Sequence, residues 1–145
     1  MEPVTNSPTN EDLGAAFRVL CVDDNHDMAD STALLLNIVG FEARACYDGF
    51  TALNLVVDFR PNVCFLDLDM PEMNGCELAV RLRQWAAGRP LFLVALTAMS
   101  SDEYRDRIIA AGFDLHLIKP VDPYKLVNVV DAMFRNWGRV SPIAG

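Results

Sequence analysis

The chain has 145 residues, 52% of them hydrophobic, and a formal net charge of −8 at pH 7. This length and composition predict one globular domain with a buried core. The acidic charge disfavours direct nucleic-acid binding, which needs a basic surface. No apolar run approaches the roughly 18–20 residues of a membrane span, so no membrane association is expected.

Two short segments flank the predicted domain at residues 17–137. Residues 1–16, MEPVTNSPTNEDLGAA, are polar and lack a cationic, apolar targeting signal, so we expect a disordered N-terminal tail. Residues 138–145 are expected to form a C-terminal tail. The four cysteines include no C-x-x-C pair, which predicts reduced structural thiols and a cytoplasmic protein.

Strand-like and helix-like patterns alternate along the domain. In chain order they are strand 17–22, helix 27–40, strand 41–47, helix 49–59, strand 62–68, helix 75–87, strand 91–98, helix 100–112, strand 113–119 and helix 122–137. Near-continuous apolar strands indicate a parallel sheet covered by helices on both faces, an α/β architecture. The second strand alternates apolar and polar residues and is predicted at an edge.

Polar side chains follow four of the five predicted strands. They are Asp23 and Asp24 after the first strand, Asp67 and Asp69 at the third, Thr97 at the fourth and Lys119 at the fifth. Because the carboxyl ends of parallel strands share one edge, we expect these groups in one cleft. Taken alone, Asp23-Asp24 also fits a helix N-cap, and His26 fits a solvated loop residue.

Converging carboxylates repel one another, and a hard divalent cation relieves that repulsion. Mg²⁺ prefers oxygen ligands and often keeps a position for a phosphate oxygen. Lys119 adds a positive charge and Thr97 a hydroxyl donor. This set of groups favours a site for phosphoryl transfer to a carboxylate.

Four stretches, RVLCVDDN, CFLDLDMPEMNG, ALTA and GFDLHLIKP, carry these residues, and YDGFTAL at the start of the second helix lies between the first two. In this order they resemble the receiver domain of two-component response regulators and hybrid histidine kinases, over about Phe17 to Phe134. The resemblance implies a flavodoxin-like, doubly wound, five-stranded parallel sheet with five helices. It also implies a phosphorelay role, with a histidine kinase or histidine phosphotransfer protein as donor.

The resemblance implies a role for each acid. Asp67 would accept the phosphoryl group. Asp24 and Asp67 would ligate Mg²⁺ (or Mn²⁺) through side chains, Asp23 would assist, and Asp69 would ligate through its backbone carbonyl. The Asp69 carboxylate itself would lie beside the phosphoryl group and is expected to alter its lifetime.

The resemblance also implies a switch. Lys119 would pair with the acyl phosphate, Thr97 would move to hydrogen-bond it, and His116 would turn inward where the family often has Tyr or Phe. The Lys119–Pro120 bond is expected to be cis. A changed face on the fourth helix, fifth strand and fifth helix would then bind a downstream protein or a second copy.

Two other readings stay open. A degenerate receiver would serve only as a protein-binding module. A phosphatase of the haloacid dehalogenase type also contains D-x-D, but on its first strand and with Thr or Val where this chain has Pro71. We therefore expect a switch that assists its own phosphorylation and dephosphorylation, not a turnover enzyme. No output domain follows the last helix, so we expect either a stand-alone receiver or a piece of a hybrid kinase.

Overall fold

The structure is a computed structural model that describes residues 17–98 and 102–137. The two predicted tails and the predicted start of the fourth helix lie outside the described residues. Ten elements alternate: β1 (Arg18–Val22), α1 (His26–Ile38), β2 (Glu42–Cys46), α2 (Gly49–Phe59), β3 (Val63–Asp67), α3 (Gly75–Ala86), β4 (Phe92–Thr97), α4 (Asp102–Ala111), β5 (Leu115–Ile118) and α5 (Pro123–Arg135). Predicted and observed bounds differ by at most two residues where both can be compared, as expected for element ends.

All five strands are parallel and form one sheet in the order β2-β1-β3-β4-β5. The predicted α/β doubly wound fold is confirmed, and β2 lies at an edge as expected. Val22 of β1 pairs with Leu66 of β3. The next residues, Asp23 and Asp67, therefore leave the sheet side by side at its centre.

Helices cover the sheet on both faces, which explains why the strands are apolar throughout. Leu20, Leu66 and Leu93 belong to the core on the face covered by α2, α3 and α4. Val19 and Phe65 belong to the core under α1 and α5. Among the described residues, no helix combines the length and apolarity needed to cross a bilayer.

The four cysteines are free, as predicted. Cys21, Cys46 and Cys64 are buried in the sheet, and Cys76 on α3 is partly buried. Burial raises the pKa of each thiol, that of Cys46 to about 12. These thiols are protonated at neutral pH and act as small apolar side chains.

Four helices begin at a capping side chain on the carboxyl edge of the sheet. Asn25, Asp48, Asn74 and Asp122 each accept a hydrogen bond from a backbone N–H of the first turn. Asn74 also forms a capping box with Glu77. Such caps contribute about 1 kcal/mol each and fix the direction in which the chain leaves each strand.

Arg83 of α3 links several segments of the chain at the opposite edge of the sheet, where the strands begin. Its guanidinium donates to the carbonyl oxygens of Gly112 and Leu91 and to the Asp114 carboxylate, at 2.6–2.9 Å. Asp114 also accepts the backbone N–H of Leu93 at 2.8 Å. One side chain therefore joins α3 to the end of α4 and to the starts of β4 and β5.

Gly75, the first residue of α3, packs directly against the backbone beside Asp67. A Cβ at Gly75 would lie 2.5 Å from the carbonyl oxygen of Asp67 and 2.8 Å from the Cα of Leu68. We expect Gly75→Ala to lower the free energy of unfolding by about 2 kcal/mol in urea denaturation, because backbone atoms must move. In Gly49→Ala the atom nearest to the added Cβ is the Met73 sulfur, at 2.6 Å, which belongs to a flexible side chain. The loss of unfolding free energy should therefore be smaller. Equal losses would contradict this expectation.

Candidate functional site

The structure brings three of the sequence-selected acids together. One carboxylate oxygen each from Asp23, Asp24 and Asp67 lie within 4.8 Å of one another. Asp23 is 2% exposed and Asp67 is 3% exposed, whereas Asp24 is exposed. Three hard oxygen donors at this spacing fit a divalent cation such as Mg²⁺.

Lys119, from the far side of the sheet, bridges the two buried acids. Its Nζ lies 3.0 Å from Asp23 Oδ2 and 3.2 Å from Asp67 Oδ1. Its backbone N–H donates to the carbonyl oxygen of Thr97 at 2.8 Å, which sets where the side chain leaves β5. The Lys119–Pro120 peptide bond is cis, as expected.

Burial and pairing act in opposite directions on the charged groups. Burial raises the pKa of Asp23 above its usual value, although the Asn25 N–H and the Lys119 ammonium partly counter it. Burial lowers the pKa of Lys119, but the hydrogen bond to Asp23 and the nearby Asp67 charge outweigh it, so this pKa is raised overall. Lys119 is therefore held in its charged form beside the acids.

The carboxylate of Asp67 is held on one oxygen by two donors. Its Oδ1 accepts the Asp69 backbone N–H at 3.1 Å as well as the Lys119 ammonium. The side chain of Asp69 is exposed. Burial raises the pKa of Tyr104 on α4, and the Asp69 carboxylate, to which Tyr104 hydrogen-bonds, raises it further. Asp69 therefore stands between the acidic cluster and α4.

Thr97 and His116 lie on neighbouring strands on the same face of the sheet. Thr97 ends β4 and is fully buried, and it pairs in register with Ile118 of β5. His116 is two residues before Ile118 and is half-buried. Because side chains alternate along a strand, His116 and Thr97 share one face.

Asn25 is a site residue that the sequence reasoning missed. The interpretation of Asp23-Asp24 as a helix cap is wrong, because Asn25 caps α1 by accepting the Met28 N–H at 3.2 Å. The Asn25 N–H donates to Asp23 Oδ1 at 2.9 Å and so orients that carboxylate. The available signal was an Asn directly before the helix, a preferred capping residue.

A family model, the response regulator receiver domain, matches residues 19–131. The chain belongs to this receiver-domain family. Receiver domains use Mg²⁺ at an acidic pocket and interact with histidine kinases or phosphotransfer proteins, as modules of two-component signalling.

Relatives of this receiver domain include proteins of different lengths. An uncharacterised 14.6 kDa protein of Leptolyngbya boryana is 35% identical over 80% of this chain and 88% of its own length. The sensor histidine kinase GacS of Pseudomonas protegens is 35% identical over 79% of this chain but 13% of its own length. The transcriptional regulatory protein PrrA of Mycobacterium bovis is 36% identical over 83% of this chain and 51% of its own length.

Solved receiver structures share the fold. The chemotaxis protein CheY4 of Vibrio cholerae superimposes with a TM-score of 0.77 at 28% identity, over 81% of this chain and 98% of that chain. A CheY-like receiver domain protein of Methanospirillum hungatei gives a TM-score of 0.79 at 25% identity, over 86% and 98% of the two chains.

The Lys119 bridge should contribute to stability. We expect Lys119→Met to lower the free energy of unfolding at pH 7 by about 2 kcal/mol, because two buried carboxylates lose their counter-charge. The loss should shrink at low pH, because protonation of Asp23, whose pKa is raised by burial, removes an unpaired charge in the variant and also weakens the wild-type pair. Urea denaturation across pH measures this. Lys125→Met, which changes the other, exposed lysine, is the control, and equal effects would refute the bridge.

Proposed function

We propose that this receiver domain is a phosphoacceptor switch. A histidine kinase or histidine phosphotransfer protein donates the phosphoryl group, Asp67 accepts it, and the change alters a partner-binding face. The observation that carries this proposal is the buried Asp67 carboxylate, clustered with Asp23 and Asp24 and bridged by Lys119. Burying two carboxylates beside one lysine costs stability, which supports a function in binding a cation or a phosphoryl group.

The chemistry of the transfer follows from the held carboxylate. An oxygen of Asp67 attacks phosphorus, the N–P bond of the donor phosphohistidine breaks, and an aspartyl phosphate forms while the imidazole leaves. Lys119 and the Asp69 N–H hold Oδ1 and so fix the rotation of the carboxylate. The lysine also neutralises charge on the transferred group, through which the domain assists its own phosphorylation and dephosphorylation.

The side chains of Asp23, Asp24 and Asp67 and the backbone carbonyl of Asp69 would hold Mg²⁺ or Mn²⁺. When bound, the cation neutralises phosphoryl oxygens and lowers the repulsion between the acids. Asp23 is already oriented by Asn25 and Lys119. The Asp23 carboxylate would therefore need little reorganisation to bind the cation.

The switch couples the phosphoryl group to a surface through Thr97 and His116. Phosphorylation biases the domain because the phosphate contacts Thr97 and Lys119 in only one of two states. Apolar side chains are exposed on α4, β5 and α5, and they are Ile109, Leu115, Ile118 and Tyr124. This face is suited to a downstream protein or to a second copy of the chain.

The two rival functions make different demands on the site. A degenerate receiver needs no intact acceptor, yet Asp67, Thr97 and Lys119 are all present at strand ends. A phosphatase of the haloacid dehalogenase type would carry its acids on the first strand, whereas Asp67 ends β3. Both rivals are tested by labelling stoichiometry.

Acetyl phosphate with Mg²⁺ should label the wild-type chain up to one phosphoryl group per molecule. Asp67→Ala should abolish the label, because it removes the carboxylate that accepts the phosphoryl group. Asp24→Asn should lose most Mg²⁺ stimulation while remaining folded, because Asp24 is exposed. Phosphate-affinity gels and intact mass measure this. No wild-type label would favour the binding module, and many turnovers on small phosphate esters would favour a phosphatase.

Asp69→Asn should lengthen the lifetime of the aspartyl phosphate by roughly threefold to tenfold, because a carboxylate orients attacking water more strongly than an amide does. Decay of the label after donor removal measures the rate. Glu72→Gln removes the same charge from an exposed acid nearby and serves as the control. An unchanged rate in Asp69→Asn, or an equal change in Glu72→Gln, would sink this prediction.

A further inference from the structure

The segment from Asp23 to His26 has two contacts with the end of β2 and the residue that follows it. The Asp23 backbone N–H donates to the carbonyl oxygen of Cys46 at 3.2 Å. The ring of His26, the first residue of α1, stacks on the ring of Tyr47, with centroids 3.7 Å apart and planes 13° apart. His26 is exposed, as expected, but it begins α1 rather than lying in a loop, and it is part of a stacked aromatic pair.

Tyr47 also contacts α1 one turn further along. Its hydroxyl donates to Asp30 Oδ1 at 2.6 Å. This hydrogen bond to the Asp30 carboxylate raises the pKa of Tyr47. A single side chain after β2 therefore contacts the start of α1 at two points, His26 and, one turn later, Asp30.

The position of Asp24 depends on that first turn. Asp23 is held through its N–H, through Oδ1 by Asn25, and through Oδ2 by Lys119. Asp24 is exposed, and in the part of the chain that the structure describes its carboxylate has no comparable hydrogen bond or ion pair. Its direction is therefore set by the backbone between Asp23 and His26.

We propose that His26 and Tyr47 are positioning residues for the divalent cation. Their stack, with the Tyr47–Asp30 hydrogen bond, fixes the start of α1 and so directs the Asp24 carboxylate toward Asp23 and Asp67. The inference rests on the proposed function, because the cation is the one that phosphorylation of Asp67 requires. Neither ring ligates the cation, and both act through the backbone that carries Asp24.

Mg²⁺ affinity of the full chain, measured by calorimetry and by amide chemical shifts, tests this role. His26→Ala and Tyr47→Ala should each weaken Mg²⁺ binding about threefold to tenfold, as expected for loss of a stacked pair that supports a ligand. The double variant should bind no more weakly than Tyr47→Ala, because removal of Tyr47 already removes the stack together with the Asp30 hydrogen bond. Phe50→Ala, which removes an exposed aromatic ring from α2, should bind Mg²⁺ as wild type does.

Conservative variants separate positioning from other roles. His26→Phe keeps a ring that can stack and should bind Mg²⁺ within twofold of wild type. Tyr47→Phe keeps the stack but loses the Asp30 hydrogen bond, so it should fall between wild type and Tyr47→Ala. Urea denaturation in the presence of a chelator should give equilibrium constants of unfolding in water that differ less than twofold between His26→Ala and His26→Phe. The difference in Mg²⁺ affinity is then not a folding effect.

Three results would overturn the inference. His26→Ala and Tyr47→Ala could bind Mg²⁺ as wild type does, the double variant could show the sum of two independent losses, or His26→Phe could be as weak as His26→Ala. If Asp24→Asn and Asp67→Ala bind Mg²⁺ as wild type does, the proposed cation site itself is wrong. The two failures are therefore distinguishable.

Discussion

The shared ion pair of Lys119 with Asp23 and Asp67 is the constraint on which this receiver domain depends. Pairing of β1 with β3 places the two carboxylates side by side, and both are almost fully buried. Buried charges of one sign are tolerated only with a counter-charge. Here that charge comes from a residue 96 positions away from Asp23, brought into reach by the order of the strands.

Different interactions stabilise the two edges of the sheet. At the carboxyl edge, side-chain caps such as Asn25 and Asn74 hold the chain where strands become helices, and the acids sit on those turns. At the opposite edge, Arg83 donates to two backbone carbonyl oxygens and to the Asp114 carboxylate. Both edges therefore contribute to stability, and the caps and the Lys119 bridge at the carboxyl edge offset the cost of the buried acids there.

Much of the architecture was predictable because local signals agree with the global fold. Apolar runs bounded by glycine, proline and capping residues located every strand and helix, and the strand-end rule placed Asp23 beside Asp67. The cap at Asn25 was missed because Asp23 and Asp24, directly before it, are also residue types that cap helices. The stack of His26 on Tyr47 was not predictable, because it depends on how two separate loops approach each other.

The site is assembled from residues that lie far apart along the chain. Asp23 and Asp67 precede β4 in the chain, whereas Lys119 follows β5. A cut anywhere between β3 and β5 would separate the acids from their counter-charge, so no contiguous half of the chain retains the cluster. Occupancy of the site and cooperative folding are therefore linked, and a ligand held there stabilises the entire sheet against unfolding.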